Sequence, residues 1–236
     1  MSSFTDLKVL VIGGTGLLGS NFVCQCSQSS KVSKVIVLAR RSFPKFANMS
    51  KVEMIVNKDT SQWSNLIYDY PEDIDVIFSS LSTTRGDAKG FANQKQIDLD
   101  LNMELIKAAQ VKKASKVIIV TSFNNALISR IFPYFSLKKT IENSILSLNY
   151  SSTLILRPGP LVGDRTCLKS DVSFASKLSS EIAAWTYNTP CSSLLGFSIK
   201  DDEVINSAMY YLDNQDHVKI VTSEEMFGLS AAMEGI

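Results

Sequence analysis

Short runs of apolar residues alternate along the chain with longer segments in which apolar residues recur at helical spacing. The runs are mostly apolar and do not alternate strictly with polar residues, as is typical of strands in a parallel sheet covered on both faces. They predict strands at residues 7–12, 35–38, 52–56, 75–79, 116–121 and 153–156. The periodic segments between them predict helices at residues 17–29, 61–70, 93–111 and 134–148.

This alternation predicts a doubly wound α/β fold, in which a parallel sheet lies between two layers of helices as in the Rossmann fold. After Arg157 the pattern loosens, and it predicts helices at 173–187 and 203–212 and a late strand at 218–221. Because the chain has no internal repeat, charge block or linker, we predict a single domain over residues 1–236. Residues 7–157 would form its dinucleotide-binding core, and residues 158–236 would form a small substrate lid together with the late strand.

Composition argues against several classes of protein. The chain has 236 residues, of which 45% are hydrophobic, too many for a disordered protein. A net charge of +1 argues against nucleic acid as a partner, and no apolar run reaches the ~18 residues of a membrane-spanning helix. One histidine and four cysteines without a C-x-x-C pair predict no metal site. The cysteines and the lack of a secretory leader pattern predict an intracellular, cytoplasmic protein.

The strongest local motif follows the first predicted strand, where Gly13, Gly16 and Gly19 precede a helix. In a dinucleotide-binding loop such glycines permit the turn, let the backbone approach a pyrophosphate and pack the helix against the strand. The anion lies at the positive end of the helix dipole. The residues expected to hold it are Gly13, Thr15, Gly16, Leu17, Leu18 and Gly19. An ordinary strand–helix turn is the alternative, whereas a P-loop is disfavoured because Ser20 and Asn21 replace its Lys and Ser/Thr.

The end of the second predicted strand distinguishes between the two nicotinamide dinucleotides. A carboxylate there would bond the ribose 2′-hydroxyl of NAD, but this chain has Arg40 and Arg41. Two guanidinium groups suit a 2′-phosphate and predict NADP(H) as the cofactor, with two solvated surface arginines as the alternative. Asp59, after the third strand, could accept a hydrogen bond from the adenine amino group or cap its own loop.

Tyr134 and Lys138 form a Y-x-x-x-K motif on a predicted helix, where residues i and i+4 share a face. An ammonium beside the phenol favours the phenolate, which makes tyrosine a usable acid and base. Ser122 follows the fifth predicted strand, at the edge where doubly wound sheets bind ligands. Its hydroxyl could bond a substrate carbonyl while Tyr134 delivers the proton. In the alternative interpretation, Ser122 merely ends the strand and Tyr134 packs against the sheet.

In these residues the chain resembles the short-chain dehydrogenase/reductase family, in its atypical, extended-like branch. The glycine triplet, Ser122, Tyr134 and Lys138 follow the order of that family's motifs. Residues 82–86, 97–102 and 157–165 narrow the resemblance further. They resemble fungal proteins associated with the mitochondrial outer membrane and a human Tat-interacting tumour-suppressor oxidoreductase.

The resemblance implies that Ser122 polarises the substrate carbonyl, that Tyr134 donates or accepts the proton, and that Lys138 holds the nicotinamide ribose. It also implies peripheral attachment to the mitochondrial outer membrane. The other residues that it places along the cofactor are Ser80, Leu81, Ser82, Thr83, Thr121, Pro158, Gly159 and Leu161.

Four features depart from this branch. Ser82 and Thr121 stand where Gly and Ser are usual, and both replacements are small. Residues 123–125, Phe-Asn-Asn, replace a small residue followed by Gly-Ala, which alters the rim of the substrate cleft. Asp98 stands where the extended enzymes have an asparagine used for proton relay. A relay through Asp98 is possible, but its charge would change the pKa values of the groups nearby.

The sequence therefore predicts an NADP(H)-dependent oxidoreductase that acts on a small-molecule carbonyl or alcohol substrate. The alternative is an NADPH-binding regulatory or scaffold protein that is recognised by partner proteins, and a membrane-surface interaction protein is a third option. The residues that shape the substrate pocket lie in the weakly patterned stretch after Arg165. The sequence thus predicts neither the substrate nor the oligomeric state.

Overall fold

The computed structural model describes residues 6–123, 133–162 and 198–234. The strands in this part of the chain are β1 (Leu7–Ile12), β2 (Val32–Ala39), β3 (Val52–Val56), β4 (Val76–Ser79), β5 (Lys116–Val120), β6 (Ser152–Arg157), β7 (Leu161–Val162), β8 (Ile199–Lys200) and β9 (Val218–Thr222). Seven of them form one parallel sheet in the order β3-β2-β1-β4-β5-β6-β9, and β7 pairs with β8 in a small parallel sheet.

The chain builds the large sheet outward in two directions from its centre. β1 pairs with β2 on one side and with β4 on the other, where Val9 lies beside Val76 and Ile12 beside Ser79. The loops after β1 and β4 start side by side, since the Ser80 N–H donates to the Ile12 carbonyl at 3.1 Å. The strand order reverses between these two strands, and doubly wound sheets bind their ligands at such a switch point.

Helices cover both faces of this sheet: α1 (Leu17–Gln28), α2 (Trp63–Tyr68), α3 (Phe91–Lys95), α4 (Asn102–Val111), α5 (Pro133–Leu146), α6 (Asp201–Tyr210) and α7 (Ser223–Glu234). Alternate residues of β1 belong to two separate cores. Val9 and Val11 lie in the core with α1 and α6, where Phe22 stacks on Phe78 with ring centroids 3.9 Å apart. Leu10 lies in the core with α2, α4 and α5. This three-layer arrangement confirms the predicted doubly wound fold.

The predicted elements that fall in the described residues are confirmed, with ends that move by up to three residues. The predicted helix at 61–70 is shorter, because a 3-10 turn (Thr60–Gln62) precedes α2. The predicted helix at 93–111 contains a π-helical turn over Gln96–Leu101, between α3 and α4. A 3-10 turn at Pro44–Phe46 and the whole of α7 were not predicted. The helix predicted at 173–187 lies outside the described residues, and the division into core and lid stays a prediction.

Candidate active site

The turn from β1 into α1 has no room for a side chain at Gly13 or at Gly19. Gly13 adopts a left-handed backbone with φ of +80°, and its carbonyl accepts the Gly16 N–H at 2.9 Å. A Cβ atom on Gly19 would lie 2.2 Å from the Gly13 carbonyl oxygen, and one on Gly13 would lie 2.9 Å from the Leu81 nitrogen. Because non-bonded atoms do not approach so closely, the glycine spacing is a steric requirement of this turn.

The first turn of α1 is suited to an anion. Gly16 precedes the helix, and no side chain of the described residues caps it. The N–H groups of Leu17, Leu18 and Gly19 therefore have no acceptor within the helix, and they lie at the positive end of its dipole. Together with Thr15, these are the residues that we predicted to hold a pyrophosphate, and the bare turn fits such a group.

Two buried hydroxyl oxygens near the carboxyl edge of the sheet have no hydrogen-bond partner among the described residues, those of Ser80 and Ser122. Ser80 follows β4 and lies against the glycine turn, since a Cβ atom on Gly13 would be 3.0 Å from its Oγ. Ser122 follows β5 after one intervening residue. Because buried polar groups are almost always hydrogen-bonded, both hydroxyls are suited to a polar ligand. The bare turn and Ser80 together fit the polar backbone of a dinucleotide.

Lys138 is held in a buried ion pair. Its Nζ lies 3.0 Å from Oδ2 of Asp98 and donates to Oγ of Ser82 at 2.9 Å. The lysine side chain is 3% exposed and the aspartate side chain 0%. Ser82 donates in turn to Oδ2 of Asp98 at 2.9 Å, and the Thr83 N–H donates to Oδ1 at 2.7 Å. One carboxylate therefore connects the loop after β4 to α5.

The π-helical turn Gln96–Leu101 carries Asp98 into this position. Asn102, the next residue, donates to the Asp98 carbonyl at 3.0 Å and to the Leu81 carbonyl at 2.9 Å. Its Oδ1 accepts the hydroxyl of Ser79, the last residue of β4, at 2.5 Å. These bonds fix the turn against the end of β4. Turns of this kind are frequent at functional sites, and this one places a carboxylate in the candidate site.

α5 presents Tyr134 and Lys138 on one face, as the spacing predicts. The helix begins at Pro133, which suits the first turn because proline has no N–H to leave unpaired. The Lys138 Nζ lies 5.5 Å from the centroid of the tyrosine ring. Tyr134 is 37% exposed, so it does not pack into the core. The two residues thus form one surface beside the carboxyl edge of the sheet.

One turn further along α5, Glu142 anchors the helix to the sheet. Its carboxylate accepts Nε of Arg157 at 3.0 Å and Nη2 at 2.6 Å, and its side chain is 3% exposed. The hydroxyl of Thr121 donates to the same carboxylate at 2.7 Å. Thr121 follows β5 and Arg157 ends β6, so the strand ends that precede Ser122 and Pro158 are held against α5.

The segment after β6 runs beside the end of β5. The Phe123 N–H donates to the Pro158 carbonyl at 2.7 Å, and the Gly159 N–H donates to Oγ of Ser223 at 2.6 Å. Leu161 then begins β7. Residues 124–125 of the predicted rim of the substrate cleft and residues 163–197 of the predicted lid lie outside the described residues.

Arg40 and Arg41 follow β2 with exposed side chains, as a contact with a 2′-phosphate or with solvent requires. Asp59 precedes the 3-10 turn before α2, and its Oδ1 accepts the N–H of Ser61 at 3.0 Å and its hydroxyl at 2.6 Å. These hydrogen bonds hold the pKa of Asp59 below its usual value. The structure therefore places Asp59 in the loop-capping role, and its contact with adenine stays a prediction.

Three features of the site were not found from the sequence: the pairing of Asp98 with Lys138, the pairing of Glu142 with Arg157, and the hydrogen bond from the Gly159 N–H to Ser223. For Glu142 a signal was available, because it lies four residues after Lys138 and therefore on the same face of the predicted helix. The other two pairings join distant parts of the chain and leave no periodic pattern.

The described residues hold no group of His, Cys, Asp and Glu side chains that could bind a metal ion. No helix in the same ranges combines the length and the apolar character that crossing a membrane requires. Cys24 and Cys26 are free thiols, and burial raises the pKa of Cys26. A raised pKa makes a thiol a poor nucleophile, so Cys26 belongs to the core and not to a reactive site.

The strand order, the bare glycine turn at the switch point and the helix with Tyr134 and Lys138 define the class of this protein. It is a Rossmann-fold chain, whose doubly wound parallel sheet carries the candidate site at its carboxyl edge. Residues 41–188 match the HIM1 family. The chain therefore belongs to the HIM1 family, and the fungal FMP52 proteins are its relatives.

The similarity to FMP52 proteins extends over nearly the whole chain. The mitochondrial protein FMP52 of Kluyveromyces lactis is 37% identical over 227 residues, which are 95% of this chain and 99% of that protein. The mitochondrial protein FMP52 of Saccharomyces cerevisiae is 36% identical over 230 residues, which are 96% of this chain and 98% of that protein. The predicted resemblance to fungal mitochondrial proteins is thereby confirmed at the level of the family.

Two solved structures share the fold. MoeE5 in complex with UDP-glucose and NAD superposes with a TM-score of 0.64 at 19% identity, over 97% of this chain and 82% of its own. The UDP-N-acetylglucosamine 4-epimerase from Methanobrevibacter ruminantium M1 gives a TM-score of 0.64 at 18% identity, over 98% of this chain and 83% of its own. At such identities the likeness concerns the fold alone, and it agrees with the Rossmann architecture.

Proposed function

We propose that this protein is an NADP(H)-dependent oxidoreductase of the short-chain dehydrogenase/reductase type, with a carbonyl or alcohol as substrate. The observation that carries the proposal is the buried hydroxyl of Ser122, which has no hydrogen-bond partner in the part of the chain that the structure describes. It follows β5 at the point where Glu142 holds this strand end against the helix of Tyr134 and Lys138. A hydroxyl, a phenol and an ammonium on adjoining elements are the groups that a carbonyl reduction needs.

Each side chain would have one task. When bound, the nicotinamide cofactor supplies a hydride to a carbonyl carbon or accepts one from an alcohol. Ser122 would donate a hydrogen bond to the substrate oxygen, and Tyr134 would give that oxygen its proton in the reductive direction. Lys138 would favour the phenolate that remains, because its ammonium lies beside the tyrosine ring.

A nicotinamide dinucleotide is supported by the bare turn at α1 and by the solved structures of the same fold, of which MoeE5 was solved with NAD. The preference for NADP(H) is supported by Arg40 and Arg41, because guanidinium groups suit a 2′-phosphate and no carboxylate takes their place. The names of the FMP52 relatives support a mitochondrial location. Peripheral attachment to the outer membrane and the link to the human Tat-interacting oxidoreductase are proposed from family resemblance.

The second candidate function is an NADPH-binding regulatory or scaffold protein with little turnover. The contact between Lys138 and Asp98 favours it, because the carboxylate cancels part of the positive field at Tyr134 that proton transfer would use. Both candidates need the cofactor, and they differ in whether Tyr134 works as an acid.

The cofactor assignment is tested by titrating the protein with NADPH and with NADH, following nucleotide fluorescence. We expect NADPH to bind at least tenfold (about 1.4 kcal/mol) more tightly than NADH. Changing Arg40→Asp together with Arg41→Asp should remove this preference, because carboxylates repel the 2′-phosphate. Lys107→Asp, at an exposed position of α4, is the control for a charge reversal on the surface away from the second strand. Equal affinities in the unaltered protein would contradict the assignment to NADP(H).

Turnover is tested by following NADPH oxidation with a panel of aldehydes and ketones. We expect reduction of at least one compound, and Tyr134→Phe should lower kcat roughly 100-fold or more, because the substrate oxygen loses its proton donor. Tyr68→Phe, an exposed tyrosine on α2, should leave kcat unchanged. Turnover that survives in Tyr134→Phe would remove Tyr134 as the acid. Tight NADPH binding without turnover on any compound would favour the regulatory candidate.

A further inference from the structure

The ion pair between Asp98 and Lys138 makes the net charge of the buried part of the candidate site, beside α5, close to zero. A lysine at this place would by itself put one positive charge into a buried region, but the carboxylate lies 3.0 Å from its Nζ and both side chains are almost fully buried. Glu142 and Arg157, the neighbouring pair along α5, likewise cancel one another. No uncompensated cation of the described residues is thus buried against this face of α5.

We propose that Asp98 sets the relative affinity of the site for the oxidised and the reduced nicotinamide nucleotide. The inference rests on the proposed function, because it needs the nicotinamide to bind near Lys138. The oxidised ring carries one positive charge that the reduced ring lacks. A lone ammonium nearby would therefore weaken binding of the oxidised form alone, and the carboxylate of Asp98 removes that penalty.

Hydrogen bonds hold the carboxylate of Asp98 in place. Its carboxylate receives three donors, the ammonium of Lys138, the hydroxyl of Ser82 and the N–H of Thr83, at 2.7–3.0 Å. The π-helical turn holds the aspartate backbone, through the bond from Asn102 to its carbonyl. An asparagine at this position would keep the size of the side chain and lose the charge, so the effect of charge is separable from that of shape.

The experiment measures the dissociation constants of the purified protein for NADP⁺ and for NADPH at pH 7 and takes their ratio. In Asp98→Asn the ratio of the oxidised to the reduced constant should rise at least about fivefold, because a unit charge within 10 Å in a partly buried site acts with that strength. In Lys138→Met the ratio should fall by a similar factor, because the carboxylate is then the uncompensated group. A purely structural role would move both variants in the same direction.

Three further variants make the result unambiguous. Asp100→Asn removes an exposed carboxylate from the same π-helical turn, and Thr140→Val removes an exposed hydroxyl of α5 without a change of charge; both should keep the ratio within about twofold of the unaltered protein. The double variant Asp98→Asn with Lys138→Met leaves no unpaired charge and should restore the ratio. If Asp98→Asn alone does not fold, the comparison of Lys138→Met with the double variant still measures the effect of the Asp98 charge on the ratio.

The outcomes separate this inference from the proposed function. Two results overturn the inference when the unaltered protein binds both forms. In the first, the ratio stays the same in Asp98→Asn. In the second, the ratio changes in the same direction in Asp98→Asn and in Lys138→Met. A ratio in the double variant that differs from the original more than twofold would overturn it as well. If the unaltered protein binds neither form, the proposed function fails before the inference is reached.

Discussion

Lys116 is a buried cation at the amino-terminal edge of the sheet, the edge opposite the candidate site. It begins β5, is 6% exposed and donates its ammonium to the Asn214 carbonyl. Burial lowers its pKa to about 8, and the carboxylates of Asp213 and Asp216 offset only part of that effect. At neutral pH the folded protein therefore keeps a charge in a place that disfavours it, and folding is weakened by that amount.

Replacing this lysine should stabilise the protein in a pH-dependent way. The folded pKa is lower than the unfolded one, so the cost of the charge is fully present below pH 8 and is relieved as pH rises from there towards 10.5. We expect Lys116→Met to raise the free energy of unfolding by about 1–3 kcal/mol at pH 6.5 and by less at pH 9.5. Urea unfolding at both values measures this. Lys107→Met, an exposed lysine, should show no such difference, and an equal gain at both values would contradict the argument.

At the scale of elements, the position of α5 depends on one carboxylate. Glu142 takes two hydrogen bonds from Arg157 and one from Thr121, and the two partners belong to the ends of two neighbouring strands. Apolar residues such as Ile141 also hold α5 on the sheet, but apolar contacts do not fix the rotation of a helix. The directed bonds of Glu142 therefore set how Tyr134 is presented.

A double-mutant cycle tests this contact. We expect Glu142→Gln to lower the free energy of unfolding by about 2 kcal/mol, because Arg157 is left with a partly buried, uncompensated charge. The double variant Glu142→Gln with Arg157→Met should lose less than the sum of the two single losses, since it has no such charge. Urea denaturation of all four proteins gives the coupling. Losses that simply add would mean that the two residues do not act on one another.

At the scale of the whole molecule, the sheet could be predicted because a parallel strand must be apolar on both faces, as residues 7–12 are apart from Lys8. α7 was missed because Gly228 interrupts the run of helix-favouring residues in the sequence and the apolar residues of this segment have little helical periodicity. The 3-10 turn Thr60–Gln62 was missed because it is set by a local cap, the side chain of Asp59, and not by repetition. The hydrophobic pattern predicts a doubly wound parallel sheet, but the order of the strands in it depends on packing and does not follow from the pattern.

The site divides in the same way. The glycine turn and the pairing of Tyr134 with Lys138 could be predicted, since both are local spacings. The pairing of Asp98 with Lys138 joins residues 40 positions apart and needs the fold before it can be seen. Asp98 itself was noticed only as a departure from a family pattern, and its effect on the charge of the site follows from distances alone.

In the π-helical turn Gln96–Leu101, the number of residues matters as much as their identity. Each residue advances an α-helix by about 100°, so one residue fewer would swing the side chain of Asp98 to another side of the helix axis, even with α4 unmoved. In relatives that keep an aspartate but lack this additional residue, the carboxylate would not pair with the lysine, and the site would keep the positive charge of that lysine.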